Sequence, residues 1–353
     1  MCVKCCMDTS DRDIVFDEKG ICNYCIEFTK KEIDRRAAVL HPGKAWIYYN
    51  LKKAGEGKKY DCLLGLSGGV DSSTCLHYLI ENGIRPLCFS VDNGWQTKEA
   101  DENIMRMVET LKVPFYRYTI DLKEFVDLQI AFVRAGVKNI EIPTDSIIVA
   151  TAYELADKYN IKCIISGGNH ATECIMPKSF GYDARDLKHI KAIFKKFMGR
   201  ELKNLPTMSS KKYLYYRFIK RIKVINLLDF YEYNREKSIK LLQEQYGYKP
   251  YGEKHGESVF TQWFQNYYLP VKFGIDKRRP HLSSMINSGQ ITKEEALEEL
   301  KKPLMYPDFV NEEFRDKVLT YPKHEYTDYP TNEWIWEKSS KIYGINKRFQ
   351  HVG

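Results

Sequence analysis

Residues 61–73 read Asp61-Cys62-Leu63-Leu64-Gly65-Leu66-Ser67-Gly68-Gly69-Val70-Asp71-Ser72-Ser73. The first half of this stretch is a short apolar run of the kind found in buried strands, and a loop of glycine and serine follows. The residues after the loop are amphipathic and predict a helix. A loop between a strand and a helix N-terminus offers backbone N–H groups and the positive end of the helix dipole to an anion. The stretch therefore predicts a phosphate-binding loop.

The chain around this loop alternates short apolar runs with longer amphipathic stretches. The apolar runs lie at residues 62–66, 87–91, 115–120 and 163–165. Such alternation is typical of βαβ units around a parallel sheet. We therefore predict an α/β fold whose core is a doubly wound parallel sheet, formed by the part of the chain that carries these runs.

The loop lacks the third glycine of a Rossmann fingerprint and the lysine of a Walker sequence. It resembles the PP-loop, SGGxDS, of ATP pyrophosphatases, which cleave ATP between its α and β phosphates. The resemblance implies a fold of the adenine nucleotide alpha hydrolase-like type, with ATP and Mg²⁺ as cofactors. We expect Asp71 either to cap the helix or to contact a magnesium-bound water. The residues expected to bind ATP here are Ser67, Gly68, Gly69, Asp71, Ser72 and Ser73.

Two further loops are expected at the same edge of the sheet, because the carboxyl ends of parallel strands meet there. Asp92 follows the second apolar run, and Gly167 and Gly168 follow the fourth. We predict that these three residues contact the nucleotide. His170, just beyond them, either contacts phosphate or is a hydrogen-bonded structural residue.

The cysteines form one dense group near the N-terminus and a scatter within apolar stretches. Cys2 and Cys5 form one Cys-x2-Cys pair, and Cys22 and Cys25 form a second pair 16 residues later. This spacing matches a four-cysteine zinc ribbon, in which four sulfur ligands make the metal structural. Cys6 is a fifth thiol and an alternative ligand to Cys5.

Composition limits where the protein works. The longest apolar runs fall far short of the roughly 20 residues that cross a bilayer, so we expect no membrane insertion and a cytoplasmic location. The net charge is +8, but residues 185–223 hold 13 Lys or Arg against Asp186 and Glu201. This segment predicts an exposed docking surface, a phosphate-tracking patch or a solvated face.

The chain divides into four predicted regions. These are a zinc ribbon at 1–36, a helical connector at 37–58, a PP-loop ATP-binding domain at 59–200 and a mostly helical C-terminal region at 201–353 that completes the active site. In the last region helical patterns lie at 238–246, 258–269, 292–300 and 311–319. Thr292 followed by Glu295 has the form of a capping box.

Motifs along most of the chain resemble the N-acetyl sugar amidotransferase family. They are Cys2-x2-Cys5-x-Met7-Asp8-Thr9, Phe16-Asp17-x2-Gly20-x-Cys22-Asn23-x-Cys25, Glu141-Ile142-Pro143-Thr144-Asp145, Lys254-His255-x-Glu257-Ser258-x2-Thr261, and Leu269-Pro270-x-Lys272-Phe273-Gly274-Ile275-Asp276-Lys277-Arg278-Arg279-x-His281-Leu282-Ser283. The resemblance implies a role in making surface polysaccharides such as lipopolysaccharide, or nonulosonic acids. The implied reaction converts the acetamido group of a sugar to an acetamidino group, with ammonia from a separate glutaminase.

The chemistry of this reaction suggests which residues carry it. An amide is a poor electrophile, so ATP would activate its oxygen and ammonia would displace AMP. Cations would hold the departing phosphates, and Lys254 and Glu257 are candidates for proton transfer, charge stabilisation or magnesium binding. The predicted catalytic residues are Lys254, Glu257, Lys272, Asp276, Lys277, Arg278 and Asp145.

Two other functions remain open at this stage. The first is a PP-loop enzyme that thiolates tRNA, in which the basic segment would follow phosphates. The five N-terminal cysteines leave only Cys163 and Cys174 near the ATP site for sulfur transfer, so we do not expect nucleic acid as a partner. The second is a non-enzymatic scaffold with a vestigial loop, which the intact loop residues argue against.

Overall fold

The computed structural model describes residues 1–40, 43–251, 256–307 and 312–332. Its centre is a five-stranded parallel sheet with the strand order β3-β2-β1-β4-β5. The strands are β1 Cys62–Gly65, β2 Pro86–Asp92, β3 Phe115–Thr119, β4 Cys163–Ser166 and β5 Lys223–Asn226. This is the doubly wound parallel sheet that the sequence predicts.

The sheet grows in both directions from β1, and this positions the phosphate loop. Leu63 of β1 pairs with Leu87 on one side and with Ile164 on the other, and its side chain is fully buried. The chain therefore leaves the sheet in opposite directions after β1 and β4. In such sheets the loops at this reversal of strand order enclose a ligand crevice.

The helices of the described residues pack on the two faces and the carboxyl edge of the sheet. In chain order they are α1 Asn23–Leu40, α2 Gly43–Ala54, α3 Val70–Glu81, α4 Lys98–Leu111, α5 Leu122–Ala135, α6 Ile142–Lys158, α7 His170–Glu173, α8 Leu187–Met198, α9 Ser210–Leu214 with its π-helical continuation Tyr215–Ile219, α10 Arg235–Tyr246, α11 Val259–Trp263 with its π-helical continuation Phe264–Phe273, α12 Arg278–Asn287, α13 Lys293–Lys301 and α14 Glu312–Thr320.

Packing on the sheet separates the helices into two layers. Leu64 lies in a buried cluster with Leu79 of α3, whereas Leu63 lies in a second cluster with Tyr153 of α6. Successive strand residues point to opposite faces, so α3 and α6 cover opposite sides of β1. None of the helices in the described ranges is long and apolar enough to span a bilayer.

The structure differs from the sequence prediction at one end of the sheet. All four predicted strands are present, but β5 was not predicted, and it lies beyond the predicted domain boundary at residue 200. Strand β5 is a four-residue edge strand, Lys223-Val224-Ile225-Asn226. It was not recognised in the sequence because it has only two apolar residues and follows a run of lysines and arginines. The sheet therefore contains strands from two of the predicted regions, 59–200 and 201–353. In the C-terminal region, the predicted capping box of Thr292 and Glu295 is confirmed at the start of α13.

Candidate active site

The phosphate loop follows β1 and ends at the N-terminus of α3. Gly69 is the N-cap of α3 and makes no side-chain capping bond. The first N–H groups of a helix have no partner inside the helix, so they are available to an anion at this position. One predicted role of Asp71 is therefore wrong, because Gly69 and not Asp71 caps the helix.

Gly68 holds the loop against α4 and does not line the cavity. Its φ is +81°, and a Cβ at this position would lie 2.2 Å from the carbonyl oxygen of Ala100. The Tyr248 hydroxyl donates to the Gly68 carbonyl at 3.1 Å. Only glycine permits both the positive φ and this close approach. Gly68 thus shapes the loop, and its predicted contact with ATP stays a prediction.

Asp71 is held in place by two residues from outside the loop. The Tyr233 hydroxyl donates to Oδ1 of Asp71, and Asn169 donates from Nδ2 to Oδ2 at 3.3 Å. Burial raises the pKa of the Tyr233 hydroxyl, and the neighbouring Asp71 carboxylate raises it further. Tyr233 therefore stays a proton donor, which fixes the Asp71 carboxylate in one orientation.

A small cavity of about 200 Å³ lies directly over the loop. A Cβ on Gly69 would lie 2.9 Å from the Tyr251 hydroxyl oxygen, so this glycine also keeps the cavity open. Its charged lining combines carboxylates with one guanidinium, which suits a magnesium-bound polyphosphate. The residues that line it include Ser67, Gly69, Asp71, Ser72, Gly167, Glu173, Arg235, Tyr251 and Glu257.

A larger cleft of about 870 Å³ continues from this cavity along the edge of the sheet. Gly65 of β1 and Gly167 after β4 lie where the two cavities meet. Gly65 has no side chain, so a flat ligand can approach the strand backbone there. Apolar residues such as Val91, Ile148 and Ile165 line the cleft, and its volume is typical of sites for cofactor-sized ligands.

One part of the large cleft holds a cluster of ionisable side chains. Glu141, Asp145, Lys277 and Glu257 line the cleft together with Thr261. The Thr261 hydroxyl donates to Oε2 of Glu141 at 3.2 Å, whereas Oε1 of Glu141 is buried and has no hydrogen-bond partner among the described residues. Such an oxygen is costly to bury unless a ligand completes its hydrogen bonds.

Burial decides the ionisation of this cluster. Desolvation raises the pKa of Glu141 to about 8, the charge of Asp145 adds to the shift, and Lys277 opposes it. Desolvation likewise lowers the pKa of Lys277, against the attraction of Asp145, Glu141 and Glu173. A carboxyl and an ammonium with pKa values moved toward neutrality are the groups that exchange protons at an active site.

The structure brings only some of the predicted catalytic residues to the cleft. Lys272 is buried elsewhere and donates from Nζ to the carbonyl oxygens of Val318 and Tyr321, at 2.8 and 2.7 Å. Asp276 pairs with Arg278 at 2.8 Å, and Arg278 also donates to three carbonyl oxygens at and after the end of α13. Lys272 ties the π-helical continuation of α11 to the end of α14, and Arg278 ties the start of α12 to the end of α13. None of these three residues is in the lining of the two cavities, and their predicted catalytic roles stay predictions. Lys254 lies outside the described residues.

Three predicted nucleotide contacts also lie off the lining of the cavities. Val91 and Asn93 line the large cleft, but Asp92 accepts a bond from the Gly94 N–H at 3.3 Å. The Gly168 N–H donates to the Ser166 hydroxyl oxygen at 3.1 Å. Ser73 is fully buried. These positions support the loops, whereas the roles of the lining residues stay predictions.

The four predicted zinc ligands lie together. The Sγ atoms of Cys2, Cys5, Cys22 and Cys25 are buried and within 4.8 Å of one another. A tetrahedron with zinc–sulfur bonds of about 2.3 Å puts its sulfur atoms about 3.8 Å apart. The Cys2–Cys25 and Cys5–Cys22 distances are 4.0 and 3.7 Å. The donor set and its spacing therefore fit a structural zinc ion.

Cys6 faces away from the zinc cluster and contacts α12. Its Sγ lies 3.2 Å from the Ser283 hydroxyl, and burial raises the pKa of the Cys6 thiol to about 11. Arg279 donates to the Cys6 carbonyl at 2.8 Å and pairs with Asp8 at 3.0 Å. The ribbon thus packs against α12, the helix that begins directly after Lys277.

His170 is a structural residue. Its ring packs 4.2 Å from the ring of Phe28, and Nε2 lies 3.2 Å from the Glu32 carboxylate. Burial lowers the pKa of His170 to about 4, so the ring is neutral at physiological pH. Both contacts belong to α1, so the structure selects the structural alternative over the phosphate contact.

Much of the charge of the basic segment, residues 185–223, is paired. Arg200 contacts Glu124 and Asp127 at 2.9 and 2.7 Å. Arg185 pairs with Asp183 at 2.6 Å and lines the large cleft. Other pairs are Lys195 with Glu201, Lys212 with Glu154 and Lys220 with Asp157. The segment is therefore less cationic on the folded protein than its composition predicts.

Among the lining residues that the sequence prediction missed, four carry polar or charged groups near the loop or in the ionisable cluster. They are Glu141, Glu173, Arg235 and Tyr251. Glu141 opens one of the motifs shared with the amidotransferase family, but its position before an apolar helical stretch does not indicate that its side chain lies in a cleft. Glu173 ends the four-residue helix α7 and Arg235 begins α10, and their sequence neighbours carry no signal of phosphate binding.

Comparisons with known proteins agree with the resemblance drawn from the motifs. Residues 257–349 match the family described as LPS biosynthesis protein WbpG-like, C-terminal domain. The chain is also 28% identical over 340 residues to an uncharacterized protein, MJ1599, of Methanocaldococcus jannaschii, which covers 90% of this chain and 99% of that protein. The range 257–349 that matches the family model includes Glu257, Thr261 and Lys277 of the cleft. The match over residues 257–349 confirms the predicted resemblance to proteins of lipopolysaccharide biosynthesis for that part of the chain.

Two solved structures are among those to which this chain is similar. NMN synthetase from Francisella tularensis is 14% identical with a TM-score of 0.35, covering 81% of this chain and 99% of that chain. The NH3-dependent NAD synthetase from Campylobacter jejuni is 13% identical with a TM-score of 0.32, covering 80% and 99%.

Proposed function

We propose that this chain is a cytoplasmic ATP-dependent amidotransferase that converts the acetamido group of an N-acetylated sugar to an acetamidino group. The sugar is a nucleotide sugar or a nonulosonic acid, and the products from ATP are AMP and pyrophosphate. One observation carries the proposal. The small cavity over the phosphate loop opens into a large cleft that ends in the ionisable cluster of Glu141, Asp145 and Lys277.

The phosphate loop and the small cavity would hold the triphosphate of ATP. The N–H groups at the start of α3 face the phosphates, and Arg235 supplies a positive charge from the opposite wall. Oxygen ligands suit Mg²⁺, and Asp71 and Glu173 would hold it. Magnesium would neutralise charge on the departing pyrophosphate. The adenosine would lie in the apolar part of the large cleft.

The reaction proceeds in two balanced steps. The acetamido oxygen attacks the α phosphorus of ATP, the bond to the bridging oxygen breaks, and pyrophosphate leaves. Ammonia then attacks the carbon of the resulting imidate, and the carbon–oxygen bond breaks to release AMP. One proton leaves the nitrogen, and the acetamidine remains protonated in water.

Glu141 and Lys277 are placed to handle this proton. Oε1 of Glu141 is the buried oxygen without a partner, and in its ionised form it accepts a proton from the attacking nitrogen. Lys277 adds positive charge beside Asp145, which stabilises negative charge on the departing phosphate. Thr261 orients Glu141 through its hydrogen bond.

Ammonia is proposed to come from a separate glutaminase. Free ammonia is mostly protonated near neutral pH and must outcompete water at the activated carbon. Delivery from a docked partner would keep the ammonia unprotonated and would keep water away from the activated carbon. The face of α8 with Lys191, Lys195 and Lys196 is the proposed docking surface, since complementary charge speeds encounter and fixes orientation.

A tRNA-thiolating enzyme is the alternative, and the cavities argue against it. Among the described residues that line the two cavities there is no cysteine. Cys163 is buried within β4, as its apolar neighbours predict. Sulfur transfer needs a thiol that can reach the activated carbon, so the described cleft suits nitrogen better than sulfur as the nucleophile.

Mass spectrometry tests the proposal directly. Candidate UDP-sugars and free nonulosonic acids are incubated with the protein, ATP, magnesium and ammonium. Replacing oxygen by NH lowers the mass of the substrate by about one unit, and AMP and pyrophosphate form in equal amounts. ADP and phosphate as the sole nucleotide products would refute the assignment.

A further inference from the structure

The helical segment after the basic α8 exposes an apolar face. In α9 and its π-helical continuation, Leu214, Tyr215, Phe218 and Ile219 are 43, 44, 59 and 70% exposed. Val224 of the adjacent edge strand β5 is 40% exposed. Single exposed apolar residues are ordinary, but a group of this size within one short segment marks an interaction site. We call these five residues the apolar face.

The surroundings of the apolar face are cationic. Residues 209–224 contain six Lys or Arg and no Asp or Glu. Lys212 and Lys220 pair with acids of α6, which anchors the segment to the sheet. Lys211 and Arg221 are exposed beside the face, and Lys162 joins them by donating to the Lys220 carbonyl at 3.1 Å.

This combination favours a lipid bilayer as the occupant. Protein interfaces are depleted in lysine, whereas interfacial amphipathic helices combine aromatic and aliphatic residues with flanking Lys and Arg. Single-stranded nucleic acid is bound by stacking on aromatic side chains, whereas three of the five residues of the face are aliphatic, including Ile219, which is the most exposed. The cationic rim complements the negative potential of anionic lipids.

We propose that the apolar face and its rim of Lys211, Arg221 and Lys162 dock the protein onto an anionic membrane surface. The contact is peripheral and needs no spanning segment. Tyr213 and Arg217 lie on the same helical segment and line the large cleft, as Val224 does. The apolar face and the large cleft therefore share one segment of the chain and Val224.

The test is vesicle co-sedimentation with the full chain. The vesicles contain phosphatidylcholine alone, or equal parts of phosphatidylcholine and phosphatidylglycerol. We expect binding only to the anionic vesicles, weakened by salt. The Phe218→Ser/Ile219→Ser variant should bind at least about tenfold more weakly, because it removes two large apolar contacts. Lys211→Gln and Arg221→Asn should each weaken binding about fivefold; Asn tolerates the positive φ of 56° at position 221.

The matched control variant is Ile33→Ser/Leu40→Ser. These residues are 64 and 84% exposed on α1, so the control removes comparable exposed apolar area from another helix. It should bind anionic vesicles like the unaltered protein. Equal loss in the control and the Phe218/Ile219 variant would overturn the proposal, as would the absence of binding to anionic vesicles.

Two further measurements identify other occupants. Sedimentation velocity without lipid would overturn the proposal if it showed a dimer that the Phe218→Ser/Ile219→Ser variant dissociates, since a second copy would then cover the face. Fluorescence anisotropy with single-stranded RNA would overturn it if RNA bound through Phe218 while vesicles did not bind. None of these measurements depends on the amidotransferase reaction.

Discussion

Replacing Glu141 with glutamine tests whether the cleft buries an ionisable carboxyl. The Glu141→Gln variant would keep the shape of the side chain and the hydrogen bond from Thr261, because a glutamine carbonyl also accepts. Burial raises the pKa of Glu141 from its ordinary value of 4.5 to about 8. The unfolded chain therefore loses this proton at lower pH than the folded protein does.

The sign of the effect follows from proton binding. Between pH 4.5 and about 8 the folded state holds one proton more than the unfolded state at this residue, so its contribution to stability falls as pH rises. The fall is about 1.4 kcal/mol per pH unit, or about 5 kcal/mol over the whole window. The glutamine variant has no such proton, so its stability relative to the unaltered protein should rise across the window and level off above pH 8.

Urea unfolding at pH 5, 6, 7, 8 and 9 measures this difference. Glu56→Gln is the matched control, since Glu56 is exposed, and its stability difference should stay flat. A flat difference for Glu141→Gln between pH 5 and 8 would refute the view that the cleft holds a buried, desolvated carboxyl at this position. It would also remove Glu141 as the proposed proton acceptor.

Three further predictions concern the loop, the metal and the source of ammonia. Asp71→Ala should lower substrate-dependent AMP formation at least about a hundredfold without unfolding the chain, whereas Asp92→Ala, outside the cavities, should retain it; equal effects would contradict the cavity assignment. Cys22→Ser should lose the roughly one zinc per chain that elemental analysis finds, while Cys6→Ser should keep it, and loss of metal from the Cys6 variant would show that Cys6 is a ligand. The purified chain should use ammonium but not glutamine as the nitrogen source. A cognate glutaminase should restore the use of glutamine in a salt-sensitive manner. Glutamine-dependent turnover by the single chain would rule out the two-protein scheme.

The sequence predicts those structural features that a few consecutive residues are enough to form. These are the strands β1 to β4, the glycine and serine loop after β1, and the two Cys-x2-Cys pairs. Strand β5 escaped prediction because its four residues sit among lysines and arginines, and an edge strand needs little apolar sequence. The contacts of Lys272 and Arg278 could not be predicted for a related reason, since a charge in the sequence does not reveal which carbonyl oxygens it will meet.

Local sequence accounts for the glycine and serine loop between a strand and a helix N-terminus and for the two Cys-x2-Cys pairs, because both features depend on residue type and local backbone. Tertiary packing alone decides which side chains lie together. It set Glu141 of the α6 N-terminus beside Lys277 at the start of α12, and it aimed Tyr233 and Asn169 at Asp71. These pairs come from distant parts of the chain, and their pKa values and orientations arise from desolvation and proximity, which exist only once the fold has closed around them.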